Sequence, residues 1–213
     1  MAGANQGRVD GVIGCVRRLR DGRRPRGQAS GVHDRGGAMT WEQFFDWLMR
    51  WEGRVVHRDP RDPGGQTAWG ISRRHHPAWA GWELVDAGTT SGPAFERLVS
   101  VFYRAQYGHE WEALPPRVNA AFCDAAINMG TVYAAQCLQD ALNRLAGTTY
   151  VLVDGRLGPR TREAVRHADA DGVAFTMCAI RLAEYCRRGR KGEARRVFLD
   201  GWASRVRSLM EEI

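Results

Sequence analysis

Glu52 is the residue whose placement most suggests chemistry. It lies four residues after Leu48 and seven after Phe45, so a helix here puts its carboxyl on the apolar face. It falls in the last turn before Gly53, where the helix dipole disfavours a negative charge. Burial beside Trp41, Phe45 and Trp51 would disfavour ionisation as well. Both effects raise a carboxyl pKa, as a general acid working near neutral pH requires. The same spacing also fits a helix-end glutamate with its head in solvent. A dense polar segment follows, Asp59-Pro60-Arg61-Asp62-Pro63-Gly64-Gly65-Gln66-Thr67, and then Trp69-Gly70-Ile71-Ser72.

The elements that must position these groups read as helices. Thr40-x-x-Gln43 is a capping box, and Trp41, Phe44, Phe45, Leu48 and Trp51 or Glu52 recur at helical spacing, with Gly53 as the stop. Residues 54–70 carry turn chemistry in Asp-Pro, Gly-Gly and Gly70. Further helices are predicted from near Pro93, over Pro116–Met129 with Gly130 as its stop, and over Thr131–Ala146. Thr148–Val153 is a short β-prone stretch running into the turn Asp154-Gly155. Three more helices are expected from Pro159 to about Asp169, over about Gly172–Arg188, and over Glu193–Met210. The expected fold is mostly α, with six or seven helices and one long polar loop early on.

Composition sets the bounds. The chain has 213 residues, 44% hydrophobic and 26% charged, which excludes wholesale disorder and allows a core without a metal or disulfide staple. No apolar run is long enough for a membrane span. Residues 1–38 hold eight Arg against three acids, leaving +2 of the net +7 for residues 39–213. That is too little for a phosphate-tracking surface, so no nucleic-acid partner is expected. Residues 1–38 also hold nine of the 25 glycines, lack a periodic apolar pattern and are expected to be disordered. They fit a basic arm or sequence from an upstream start; the second is preferred, because Met39-Thr40-Trp41 opens the first organised segment. Cys15, Cys123, Cys137, Cys178 and Cys186 form no Cys-x-x-Cys pair, so buried free thiols are expected. His57, His75, His76 and His109 share no metal-site spacing, and neither metal nor cofactor is expected.

Taken in order, these segments resemble glycosyl hydrolase family 108, muramidases related to phage lysozymes. The resemblance rests on Glu52-Gly53 at a helix end, Asp62-Pro63-Gly64-Gly65-x-Thr67 and Gly70-Ile71-Ser72. It continues in Asp124-x-x-x-Asn128-x-Gly130, then Leu138-Gln139 with Asp154-Gly155-x-x-Gly158-Pro159-x-Thr161, and Phe198-Leu199-x-Gly201-Trp202-x-x-Arg205. It spans about residues 39–213. The spacing from Glu52 to the loop is one residue longer than is common in the family, and Arg54 replaces a frequent Gly.

The resemblance implies a lysozyme-like helical fold, with a catalytic region over 39–130 and a helical peptidoglycan-binding-like region over 131–213 packed on it. It implies cleavage of the β-1,4 bond after N-acetylmuramic acid in peptidoglycan glycan strands, with Glu52 as the catalytic acid. Asp62 and Thr67 are candidates for the second carboxylate and for a hydroxyl that holds water. Asp59 competes for the acid role or lies on the substrate side, and both Asp residues would also serve as Asx turns before Pro. Trp69 could stack on a sugar or fill the core. Asp124 and Asn128 could face the cleft or tie the early loop to the helix that carries them. Asp154–Thr161 could help hold peptidoglycan or form an ordinary turn. A non-catalytic wall-binding protein of the same fold is the alternative. A monomer is expected, made in the cytoplasm without a signal peptide and acting on the wall after holin- or secretion-dependent release.

Overall fold

Helix α1 (Trp41–Glu52) starts as its sequence demands. The Thr40 hydroxyl accepts from the Gln43 N–H, and the Gln43 side chain accepts in return from the Thr40 N–H. Gly53 ends it at φ 80°, a left-handed backbone that glycine adopts without strain. The computed structural model describes residues 39–58, 65–108, 110–189 and 199–213. The expectations for the N-terminal tail, Asp59, Asp62 and His109 lie outside them.

The chain then forms a small antiparallel sheet where sequence reading expects only turns. Strand β1 (Val56–Arg58) pairs with β2 (Gln66–Ala68), and β2 pairs with β3 (Ile71–Ser72). Strands of two or three residues carry too little alternation to be read from sequence. The register places Ala68 opposite Ile71, so the β2–β3 loop is the two residues Trp69 and Gly70. Both have positive φ, 47° and 81°, as a type I′ hairpin turn requires.

Seven further helices follow among the described residues: α2 (Gly81–Asp86), α3 (Pro93–Tyr107), α4 (Pro116–Met129), α5 (Thr131–Ala146), α6 (Pro159–His167), α7 (Ala170–Gly189) and α8 (Leu199–Glu212). Short α2, with Trp82 and Val85 buried, is absent from the sequence reading. The helix expected over Glu193–Met210 is described from Leu199 onward; residues 193–198 of that expectation lie outside the described residues. The β-prone stretch forms no strand. Instead the Asn143 side chain accepts from the Tyr150 and Val151 N–H groups and donates to the Val151 carbonyl, supplying the partners a neighbouring strand would. No helix among the described residues is long and apolar enough to cross a membrane.

Helix α4 is the axis of the molecule. Every residue from Val118 to Ala126 is buried, the pattern of a helix surrounded by protein. Its alanines let α5 and α7 pack closely, and α8 closes over α7. One apolar cluster runs from Met39 to Ile213, crossing the junction between α4 and α5 without a break. Ties from the C-terminal helices reach back across it: Trp47 Nε1 donates to Ser208 at 3.1 Å, and Arg162 grips nearly buried Glu110 with both arms of its guanidinium.

The Leu138-Gln139 and Asp154–Thr161 motifs are joined internally. Gln139 Nε2 donates to the Asp154 carboxylate, the Arg156 carbonyl and the Thr161 hydroxyl, while its Oε1 accepts from the Gly155 N–H. Gln139 is almost fully buried. These residues lock the loop onto α5, so the turn reading holds for them and their polar atoms face one another. Three cysteines match the expectation of free buried thiols, Cys123, Cys137 and Cys178; burial pushes Cys178 up to about 12, which keeps it protonated. Cys186 is disulfide-bonded, which corrects the expectation that every thiol is free.

Within the apolar interior lies a charge cluster. Asp124 is fully buried on α4, with Arg181 Nη1 of α7 at 2.7 Å from Oδ2 and Arg205 Nε of α8 donating to Oδ1 at 2.7 Å. Burial alone would raise the Asp124 carboxyl, but the two guanidiniums overcome it and hold the group below its ordinary 3.8.

Two outcomes follow from this packing. A fragment ending at Met129 or Gly130 exposes the apolar faces of α4 and should not fold, as circular dichroism and gel filtration would show; a native-like, cooperatively melting fragment contradicts the single-core account. Asp124→Asn leaves two buried guanidiniums without their shared anion and should cost about 3–5 kcal/mol, or roughly 10 °C in Tm. Because the folded carboxyl titrates below 3.8, its contribution is complete above that pH and fades as pH falls through the folded value. Melting curves against pH should therefore lose part of their acid-side slope in Asp124→Asn.

Candidate active site

Glu52 ends α1 where the chain must turn into the sheet, and its side chain is 21% exposed. The surroundings differ from the apolar pocket that spacing suggests. Arg205 Nη1 donates to Glu52 Oε1 at 2.7 Å, so a cation stands against the carboxyl beside the aromatic wall. Arg205 is 7% exposed and lies 5.7 Å from the Trp47 ring centroid. It bridges Glu52 to Asp124, and Arg181 carries the chain inward.

The other oxygen faces the hairpin turn. A Cβ on Gly70 would stand 2.8 Å from Glu52 Oε2 and 2.3 Å from the Tyr103 hydroxyl. Only glycine lets this backbone approach the carboxylate, and its φ of 81° asks for glycine independently. The preceding Trp69 holds a left-handed conformation that β-hairpins rarely give an aromatic residue. Three hydrogen bonds fix it: its N–H donates to the Val55 carbonyl, its indole donates to the Thr90 carbonyl, and the Tyr103 hydroxyl donates to its carbonyl at 2.9 Å. Tyr103 and Tyr107 are both raised, first by burial and then by the Glu52 charge, so both stay neutral phenols.

The predicted site residues are distributed unevenly around this centre. Thr67 is half-buried in the middle of β2, paired with His57 and Ser72, three residues before Gly70. Trp69 is 3% exposed and packs edge-on to Phe95 with Arg54 over its ring. Of its two sequence readings, sugar platform or core filling, this burial fits the core. Asp124 is likewise too deeply buried to meet a substrate; it holds the arginines instead. Asn128, exposed one turn later, donates to the Asp124 carbonyl at 2.9 Å and to its carboxylate at 3.2 Å. Asp59 and Asp62 are not among the described residues. Nor, among those residues, do three or more His, Cys, Asp or Glu gather as metal ligands.

Sequence reasoning missed Arg181 and Arg205 as parts of the site. The signal was present, though. Arg181 falls on a stripe with Met177, Cys178, Leu182 and Tyr185, and Arg205 falls among Ala203, Val206 and Leu209, all of them buried. A guanidinium on an apolar face needs a buried anion, and Asp124, the one acidic residue of α4, is its natural counterpart.

Comparison with known proteins agrees with this arrangement. Residues 45–130 match the family model Glycosyl hydrolase 108, and residues 133–207 match the model Predicted Peptidoglycan domain. No curated protein matched the chain. Among solved structures, Brucella abortus SagA is similar, with 28% sequence identity and a TM-score of 0.60, over 81% of this chain and 92% of that one. With both models matched in the expected order, residues 45–130 are similar to glycosyl hydrolase 108 and the stretch behind them to a Predicted Peptidoglycan domain, the combination expected of a glycoside hydrolase acting on peptidoglycan.

Proposed function

We propose that this protein is a muramidase, cleaving the β-1,4 bond between N-acetylmuramic acid and N-acetylglucosamine with Glu52 as the general acid. The observation that carries the reading is the Glu52 carboxyl itself: partly exposed at a helix end, fixed through one oxygen, and seated against a glycine turn inside the region matched to a glycosidase family. Protonated Glu52 gives its proton to the leaving glycosidic oxygen as the bond to the anomeric carbon breaks. Water, directed by a second group, supplies the new bond at that carbon. Asp62, or Asp59 in its place, is proposed as the second carboxylate, and Thr67 as the hydroxyl that orients water. Exposed Asn128 is proposed to face the glycan at the edge of the cleft.

Glu52→Gln keeps the size and hydrogen bonding of the side chain but removes the acidic proton. Murein hydrolysis should fall by at least about 10²-fold while Tm stays close to that of the parent. Near-parental turnover in a folded Glu52→Gln protein would refute the mechanism. It would leave the non-catalytic wall-binding alternative untouched only if the parent also failed to turn over murein.

Gly70→Ala should be a second inactive variant, because its methyl group collides with Glu52 Oε2 and the Tyr103 hydroxyl. The strained left-handed residue alone should cost about 1 kcal/mol or more. Turnover assays with thermal melts check both parts, and full activity would show that the turn yields without moving the carboxylate. Thr67→Ala should cost less turnover than either change, since proton donation by Glu52 survives it.

A further inference from the structure

We infer that Arg205 is the positioning residue of Glu52, that its grip on Oε1 assigns the transferable proton to Oε2, and that the active site is therefore completed by the C-terminal region. The inference rests on the proposal that Glu52 is the general acid.

Arg205 stands 153 residues beyond Glu52 in the chain, within the stretch matched to the Predicted Peptidoglycan domain. Its guanidinium is fixed before any substrate arrives. Nε donates to Asp124, whose far oxygen meets fully buried Arg181, and Asn128 donates to the same carboxylate. Trp47 covers its face. Neutralising Asp124 does not explain the contact with Glu52, because Arg181 and Asn128 already serve Asp124. Nη1 is spent on the partly exposed carboxylate of Glu52.

Chemistry follows from the direction of that hydrogen bond. A guanidinium has donors and no acceptor, so a proton cannot sit between Arg205 and Oε1. Protonated Glu52 carries its hydrogen on Oε2, the oxygen beside Gly70. In the reaction the Oε2–H bond breaks and the proton joins the leaving oxygen, which also takes the electron pair of the broken C–O bond. The carboxylate charge then forms 2.7 Å from Arg205 Nη1. The hydrogen bond between them becomes charge-assisted as the proton departs, so it is stronger late in the step than at its start.

The test uses the full chain on purified murein, comparing Arg205→Met, Arg205→Lys and Glu52→Gln. Arg205→Met should lose about 10²–10³ in kcat, with KM within about twofold. Arg205→Lys restores a cation and should recover about tenfold of that loss. The groups facing Glu52 are Arg205, Tyr103, Tyr107 and, through Arg205, Asp124. The phenols stay neutral, so removing the Arg205 charge should move the alkaline limb of the pH–rate profile to higher pH. A merely structural residue would not move that limb. Parental kcat in folded Arg205→Met overturns the inference, as does a loss of kcat with an unmoved limb and no recovery by lysine. If Arg205→Met does not fold, Arg205→Lys decides: one nitrogen then replaces the two that hold Asp124 and Glu52, so a roughly tenfold fall in kcat supports the assignment and parental kcat overturns it. Active Glu52→Gln would remove the general-acid reading itself, whereas inactive Glu52→Gln beside fully active Arg205→Met leaves that reading standing and removes this one.

Discussion

The chain of charges Arg181–Asp124–Arg205–Glu52 is the constraint around which this structure is arranged. Two guanidiniums and one carboxylate in an apolar interior carry an excess positive charge, and desolvating it is costly. Glu52 ends the series where it reaches the partly exposed end of α1, with Oε1 accepting from Arg205. Each link comes from a different helix: α7, α4, α8 and α1. Packing those four helices is what brings the charges together, and the charges in turn penalise any packing that would part them.

This dependence joins two regions that family comparison describes separately. The models meet near the junction of α4 and α5, yet the apolar core runs straight through it. The C-terminal region gives the catalytic region its packing surface, a cation for Asp124 and another for Glu52. Its own motif residues around Gln139 are used to fasten a loop. That region thus supports the site through its packing and its two arginines.

Much of this was legible in the sequence. The capping box at Thr40, the glycine stops at Gly53 and Gly130, and the long helices follow from local rules that tertiary packing did not override. Glu52 stood out because helical spacing put a carboxyl among aromatic residues. The sheet was not legible, because its strands are too short to show a period. Nor was the neighbour of Glu52: Arg205 is brought there by the packing of α8 on α7, and no local pattern encodes a contact across 153 residues. The choice between the two readings of Trp69 was open in the sequence for a related reason. Its covered faces depend on Phe95 and Arg54 arriving from elsewhere in the chain.

The central claim is that this fold hydrolyses the glycan at N-acetylmuramic acid. Mass spectrometry of the fragments released from whole murein tests it most directly. The account predicts soluble muropeptides that end in reducing N-acetylmuramic acid, with stem peptides still attached. Fragments ending in reducing N-acetylglucosamine, or free stem peptides with glycan strands intact, would contradict it.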